Sequence, residues 1–266
     1  MNTPPKPKRC WYQFSLRMLL VFVLLFSVPI SWFAVKLHQA RKQKEAVQAI
    51  VKAGGEVYYD YQFDEDLAGI AGAKPPAPEW LRNALGDDFF CDVAGVDLYE
   101  SPDPDAAMEH LRRLPALRRL DLFFAEVSDA DLQYLQGLNS LQFLDLNSTG
   151  VTDAGLDRLR RLTNLRQLWL ANTQVTDGGL SQLTKLKRLE ILSLAITRVT
   201  DAGVVHLQKL TNLKTLYLGG TQITDTGLER LATLKNLDKL QVGSTDITDQ
   251  GVRKFRETLP NCKIDR

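Results

Sequence analysis

The chain has 266 residues, 44% apolar and 24% charged, with a formal net charge of +1. That length allows one folded domain plus extra segments, and the near-neutral balance argues against nucleic-acid binding, which demands a clustered basic face. The three cysteines, Cys10, Cys91 and Cys262, form no C-x-x-C pair and cannot make a disulfide framework, so free, mostly buried thiols are expected.

Residues 1–17 form a basic tail carrying Lys6, Lys8, Arg9 and Arg17 and no acid. Residues 18–35, MLLVFVLLFSVPISWFAV, carry no charge and predict a transmembrane helix at the short end of the spanning range. Pro29 is tolerated in such a helix when neighbouring groups satisfy the freed carbonyl. Trp11, Tyr12 and Trp32 lie near its edges, where amphipathic rings prefer the headgroup layer. Ser31-Trp32-Phe33-Ala34 is a poor cleavage site, which favours an uncleaved signal anchor over a signal peptide. Lys36, Arg41, Lys42 and Lys44 follow the span, so basic residues flank it nearly evenly. The basic run ahead of the apolar one favours a cytoplasmic amino terminus with the rest of the chain outside.

Residues 36–55 predict a juxtamembrane helix that Gly54-Gly55 stops. In residues 56–63, EVYYDYQF, Val57, Tyr59, Tyr61 and Phe63 alternate with Tyr58, Asp60 and Gln62, which predicts a strand with one apolar face. Residues 69–78 are a Gly/Ala/Pro linker. Residues 79–85 then place Trp80, Leu81, Ala84 and Leu85 on one face of a short helix begun by Pro78. Residues 56–92 are expected to cover the open end of the array that follows, strand and short helix together. The alternative is a ligand module built on Tyr58, Tyr59 and Tyr61.

From Leu117 one 24-residue pattern recurs without insertion at Leu141, Leu165, Leu189, Leu213 and Leu237. A fixed internal period dictates a stacked architecture. In the Leu165 copy, LRQLWLANTQVTDGGLSQLTKLKR, Leu168 and Leu170 point inward from a strand while Gln167 and Trp169 point outward. Thr176-Asp177 offers side-chain oxygens to a helix start, and Leu180, Leu183 and Leu186 turn that helix onto the strand. Val93, Val96 and Leu98 extend the pattern one period upstream, giving about seven repeats over residues 93–266, with Cys262 and Ile264 in a last short strand. The motif L-x-x-L-x-L followed by V/I-T-D-x-G-L resembles the leucine-rich-repeat family, in the style of bacterial membrane-anchored members. The resemblance implies an α/β solenoid, a right-handed βα horseshoe. Where that family usually has Asn, this chain has Thr149, Thr173, Thr197, Thr221 and Thr245, so the internal hydrogen-bond ladder should be weaker or differently wired.

Chemistry has no visible apparatus: G-x-S-x-G, H-E-x-x-H and phosphate-binding glycine loops are absent from the sequence. The repeated Asp153, Asp177, Asp201, Asp225 and Asp249 sit at helix starts, where capping is the expected role. His110 and His206 occupy equivalent positions four repeats apart, too far to share a metal. No catalytic, cofactor or metal residue is assigned.

What remains is the outward strand face, where the resemblance implies protein binding. One column reads Asp97, Asp121, Asp145, Trp169, Ser193, Tyr217, Gln241, and its neighbour Gly95, Arg119, Phe143, Gln167, Ile191, Thr215, Lys239. Tyr99 and Phe123 head a third. Candidate contacts are Tyr99, Arg119, Asp121, Phe123, Phe143, Asp145, Arg166, Trp169 and Tyr217, since Trp, Tyr and Arg dominate binding hot spots. Asp97, Asp121 and Asp145 stand about 5 Å apart on adjacent strands, so Arg118, Arg119 and Arg166 are expected to compensate them. Alternatively the column receives a basic or cation-bearing partner, or calcium. The reading is a membrane-tethered, non-enzymatic scaffold for an unknown protein partner. The alternatives are a regulatory repeat domain on the cytoplasmic side of the same anchor, or an enzyme-associated subunit.

Overall fold

The computed structural model describes residues 16–101 and 104–266, with side chains from residue 25. Almost all of the basic tail, Cys10 included, lies outside the described residues. Helix α1 (Leu16–Lys52) runs unbroken through Pro29. The juxtamembrane residues 36–52 continue the same helix, since they are mostly good helix formers without Gly or Pro. Among the described residues no helix is long and apolar enough to cross a membrane. The first side chains of the expected span, those of residues 18–24, lie outside that description. Within the described part Leu25, Phe26, Val28, Ile30, Trp32 and Val35 are each more than half exposed.

The second half of α1 has a different role. Ala40, Gln43, Ala46, Ile50 and Ala53 recur at three- and four-residue spacing, the signature of one helical stripe, and all are buried. Gln43 closes the stripe onto the array: its Nε2 donates to the Cys91 carbonyl at 2.8 Å, and its Oε1 accepts the Val93 N–H at 3.1 Å. This helix is the cap. Strand β1 (Glu56–Tyr59) assists, pairing antiparallel with the first repeat strand. The short helix α2 (Glu79–Leu85) buries no residue and packs on the 3-10 turn Asp87–Phe89, so its expected share in covering the array falls to α1. The expected strand at 56–63 also ends early. The Gln62 side chain accepts the Tyr59 N–H at 2.7 Å and winds Asp60–Gln62 into a 3-10 turn, which moves Phe63 beside Tyr58.

The repeats follow as β2 (Val93–Asp97), α3 (Pro104–Met108), β3 (Arg119–Asp121), β4 (Phe143–Asp145), α4 (Asp153–Leu159), β5 (Gln167–Trp169) and α5 (Asp177–Leu183). They continue with β6 (Ile191–Ser193), α6 (Asp201–Leu207), β7 (Thr215–Tyr217), α7 (Asp225–Leu231), β8 (Lys239–Gln241), α8 (Asp249–Thr258) and β9 (Lys263–Asp265). Among the described residues nine strands form one sheet in chain order, parallel from β2 onward. One continuous core runs from Ala46 to Ile264, and the repeat leucines are almost entirely sealed from solvent. Each such leucine contributes roughly 1.5–3 kcal/mol. Cys91 and Cys262 are free and buried, as expected, and burial pushes both thiols up to about 11.

The V/I-T-D-x-G motif is explained by how one coil meets the next. Thr152, Thr176, Thr200, Thr224 and Thr248 are the helix N-caps, each accepting a backbone N–H from the first turn. The aspartates that follow them do not cap, contrary to the expectation from their position. Asp153 accepts the Thr176 N–H at 2.8 Å on Oδ1 and the Thr176 hydroxyl at 2.6 Å on Oδ2. The same two-point clamp joins Asp129 to Thr152, Asp177 to Thr200, Asp201 to Thr224 and Asp225 to Thr248. Bonds to an ionised acceptor are short and strong. The hydroxyl bond of Thr248 also draws the Asp225 carboxyl below its ordinary range. Asp249 is met instead by the Arg266 guanidinium, which also donates to the Ile247 carbonyl at 2.8 Å. Glycine follows because the clamp fills its side-chain space: a Cβ on Gly155, Gly179, Gly203, Gly227 or Gly251 would press on the carboxylate of the preceding coil.

The copy at Val127 shows the rule by breaking it. Asp131 stands in the glycine position, takes the Ser128 N–H and hydroxyl itself at 2.9 and 2.6 Å, and the segment Asp131–Leu135 winds as 3-10 helix. The threonines in the asparagine position bond within their own loop. Thr149, Thr173, Thr197 and Thr221 donate to the carbonyl three residues back, at 2.6–2.7 Å.

Candidate partner-binding face

The concave sheet face aligns the two columns in the expected register, Asp97–Asp121–Asp145–Trp169–Ser193–Tyr217–Gln241 beside Gly95–Arg119–Phe143–Gln167–Ile191–Thr215–Lys239. At the amino-terminal end Tyr99 stacks on Phe123, ring centroids 5.5 Å apart and 12° from parallel. Tyr99 is 48% exposed. Further along, Trp169 meets Tyr217 at 5.4 Å across the small, buried Ser193. The indole N–H of Trp169 is buried and has no acceptor among the described residues.

The aspartate column is partly structural. Asp97, Asp121 and Asp145 each accept the N–H two residues ahead, at 2.8, 3.2 and 2.8 Å, and so shape the turn leaving each strand. Of the three arginines expected to compensate them, only Arg119 does so, donating to Asp121 at 2.9 Å while its guanidinium lies 3.7 Å over the Phe143 ring. Phe143 is thereby almost wholly buried under the arginine that covers it. Arg166 sits one residue before β5, at the opposite edge, with Asp66 at 3.5 Å and Glu190 at 3.7 Å. Arg118 occupies the equivalent edge position before β3 and has no ion-pair partner among the described residues. Among those residues no group of three or more His, Cys, Asp or Glu side chains could hold a metal ion.

Burial, then the neighbouring Asp121, pushes the Asp145 carboxyl up to about 6 from 3.8, while the Asn147 N–H opposes the rise. Burial raises Asp121 as well. A carboxyl with its pKa raised in the folded state favours folding in its protonated form. That stabilisation is full below pH 4 and is lost as pH rises through 6. Asp145→Asn is therefore expected to flatten the dependence of the urea midpoint on pH between 4.5 and 7, leaving the smaller slope due to Asp121.

Sequence reasoning missed two features of this face. Glu100, Phe124, Ser148, Asn172, Ile196, Gly220 and Ser244, spaced by 24 residues, all have left-handed backbones, with φ from 49° to 70°. Glycine or asparagine suits that position, whereas Phe124 and Ile196 are bulky there and 57% and 63% exposed. The spacing alone could have shown this column. Also missed was the loop after Phe63. Its ring lies on Gly95, where a Cβ would come within 2.9 Å, and the tip at Glu65–Leu67 reaches over the strand starts.

The sequence model of a family described as "Leucine Rich repeat" matches residues 137–159 and 209–232. A comparison with curated proteins finds no match. Among solved structures, internalin C2 of Listeria monocytogenes is similar at 24% identity and a TM-score of 0.52, over 66% of this chain and 80% of that one. An internalin (inlF) of the same organism gives 22% and 0.45 over 59% of this chain, which spans about half of it (49%). A leucine-rich-repeat protein of Leptospira interrogans gives 25% and 0.47, over 59% of this chain and 39% of that one. The repeated motif, the stacked βα coils and the family model that matches two of the copies agree that the chain is built of leucine-rich repeats.

Proposed function

We propose that this chain is a membrane-tethered scaffold that binds a protein partner on its concave strand face. The observation that carries the reading is the line of aromatic and charged side chains held in strict register there, above all the Trp169–Tyr217 pair beside an indole N–H without an acceptor. Tethering is supported by the 18 uncharged residues at 18–35 and by the exposed apolar side chains of α1 from Leu25 to Val35. The repeats lie outside the cell in this reading.

The test is crosslinking in cells that express the full chain. Trp169→Ala should reduce the crosslinked partner about tenfold or more, the effect of losing a hot-spot aromatic. Val205→Ala, at an exposed convex position, should leave it unchanged. Equal capture by the Trp169 variant refutes the concave-face reading. Protease added to intact cells should digest the repeats; protection would place them inside and favour the regulatory alternative.

A further inference from the structure

The concave face is already partly occupied by the chain itself. After Phe63 the loop turns back in a closed hairpin: Asp64 accepts the N–H groups of Asp66 and Ala68 at 2.9 and 2.8 Å, and Phe63 bridges to Gly69. Its tip presents Glu65, Asp66 and Leu67, the last with a left-handed backbone at φ 64°. The tip leans over a cleft of about 650 Å³ at the strand starts, into which Arg118, Arg166 and Arg188 project. Leu67 and Ile191 line a continuation of that cleft beside Lys214.

The closure is weak. One ion pair, Asp66 to Arg166 at 3.5 Å, holds the tip, and its side chains are 87% and 47% exposed. Exposed pairs of this kind contribute little. Beneath the tip Arg118 has no carboxylate partner among the described residues, and Arg188 is bonded to the neutral Asn164 at 2.6 Å. Two of the three arginines, Arg118 and Arg188, thus have no ion-pair partner among the described residues, although Asp60 and Asp92 also line the cleft and Glu190 stands 3.7 Å from Arg166. Gly69 and Gly72 follow the tip, a Cβ on either would meet nothing within 4 Å, and Gly72 has φ +71°.

From this we infer that the arginine row at the strand starts is a docking site for an acidic segment of the partner protein, and that the loop at 64–70 is a built-in competitor which that segment displaces. The inference rests on the concave-face reading and names the chemistry the partner must bring: two or three carboxylates followed by an apolar side chain, as in the loop's own Glu65-Asp66-Leu67. The occupant is a peptide rather than a small anion because the row spans several strands at about 4.8 Å each and Leu67 adds an apolar contact beside it.

The probe is a fluorescein-labelled peptide with the sequence of residues 60–69, DYQFDEDLAG, titrated by anisotropy against the full chain in detergent micelles at low salt. The double variant Glu65→Ala/Asp66→Ala should bind it about threefold more tightly than the unaltered chain, the scale of one exposed ion pair. Arg118→Ala/Arg166→Ala should weaken binding at least tenfold, and the milder Arg166→Gln should weaken it with an unchanged thermal midpoint. No binding, no gain in the loop variant, or no loss in the arginine variants overturns the inference. If Trp169→Ala still abolishes partner capture in cells, the concave-face reading survives such a result and only the acidic-segment proposal falls.

Discussion

Gly203→Ala is expected to destabilise the repeat domain by about 3 kcal/mol, combining overpacking of roughly 1–3 kcal/mol with a weakened charged clamp. The new Cβ would press on Asp177 Oδ1 and come within 2.8 Å of Leu180 Cδ1. Asp177 cannot yield without loosening both of its bonds to Thr200, at 2.8 and 2.7 Å. A double-mutant cycle identifies the cause. In an Asp177→Ala background the carboxylate is gone, so adding Gly203→Ala should cost clearly less than it does alone. Additive losses in urea denaturation would show that the glycine is there for its backbone and not for the neighbouring carboxylate.

Ile50→Ala should cost a similar amount, about 2–5 kcal/mol for a large-to-small change in a sealed site. Ile50 is fully buried near Leu98 and Gly55, at the seam between α1 and the first repeat. Leu81→Ala, in the helix without buried residues, should cost less than about 1 kcal/mol. Because each coil of a solenoid touches only its neighbours, the damage should remain local. Hydrogen exchange should rise first in β1, β2 and β3 while β6 and β7 keep their protection. If the Leu81 variant proves the more damaging, the cap has been assigned to the wrong helix.

These two residues also mark what the sequence disclosed. Strand positions and register were readable because a period of 24 without insertions leaves one way to stack Leu168 on Leu192. The concave columns followed from strand alternation alone. The role of Asp177 did not, since a carboxylate at a helix start suggests a local cap, whereas its partner Thr200 lies one coil ahead. Ile50 was hidden for another reason. Its stripe consists mainly of small or polar residues, Ala40, Gln43 and Ala46, which carry little apolar signal beside the strongly apolar stretch before them. Phe63 on Gly95 is a contact between segments 32 positions apart in the chain, and no local pattern announces it. The site was therefore legible as a surface, but not the loop that lies across it.

The clamp between coils has a direction, and that bears on how such a molecule can grow. Every unit from α4 to α7 presents a carboxylate to the coil ahead and a threonine to the one behind, so its two rims are complementary to each other but not to themselves. A duplicated 24-residue cassette dropped between any two of these units would find matching rims on both sides, lengthening the concave surface by about 4.8 Å without a new junction to invent. A cassette inserted just ahead of the copy at Val127, whose Ser128 is bonded to Asp131 of its own coil, would meet a rim that does not reciprocate.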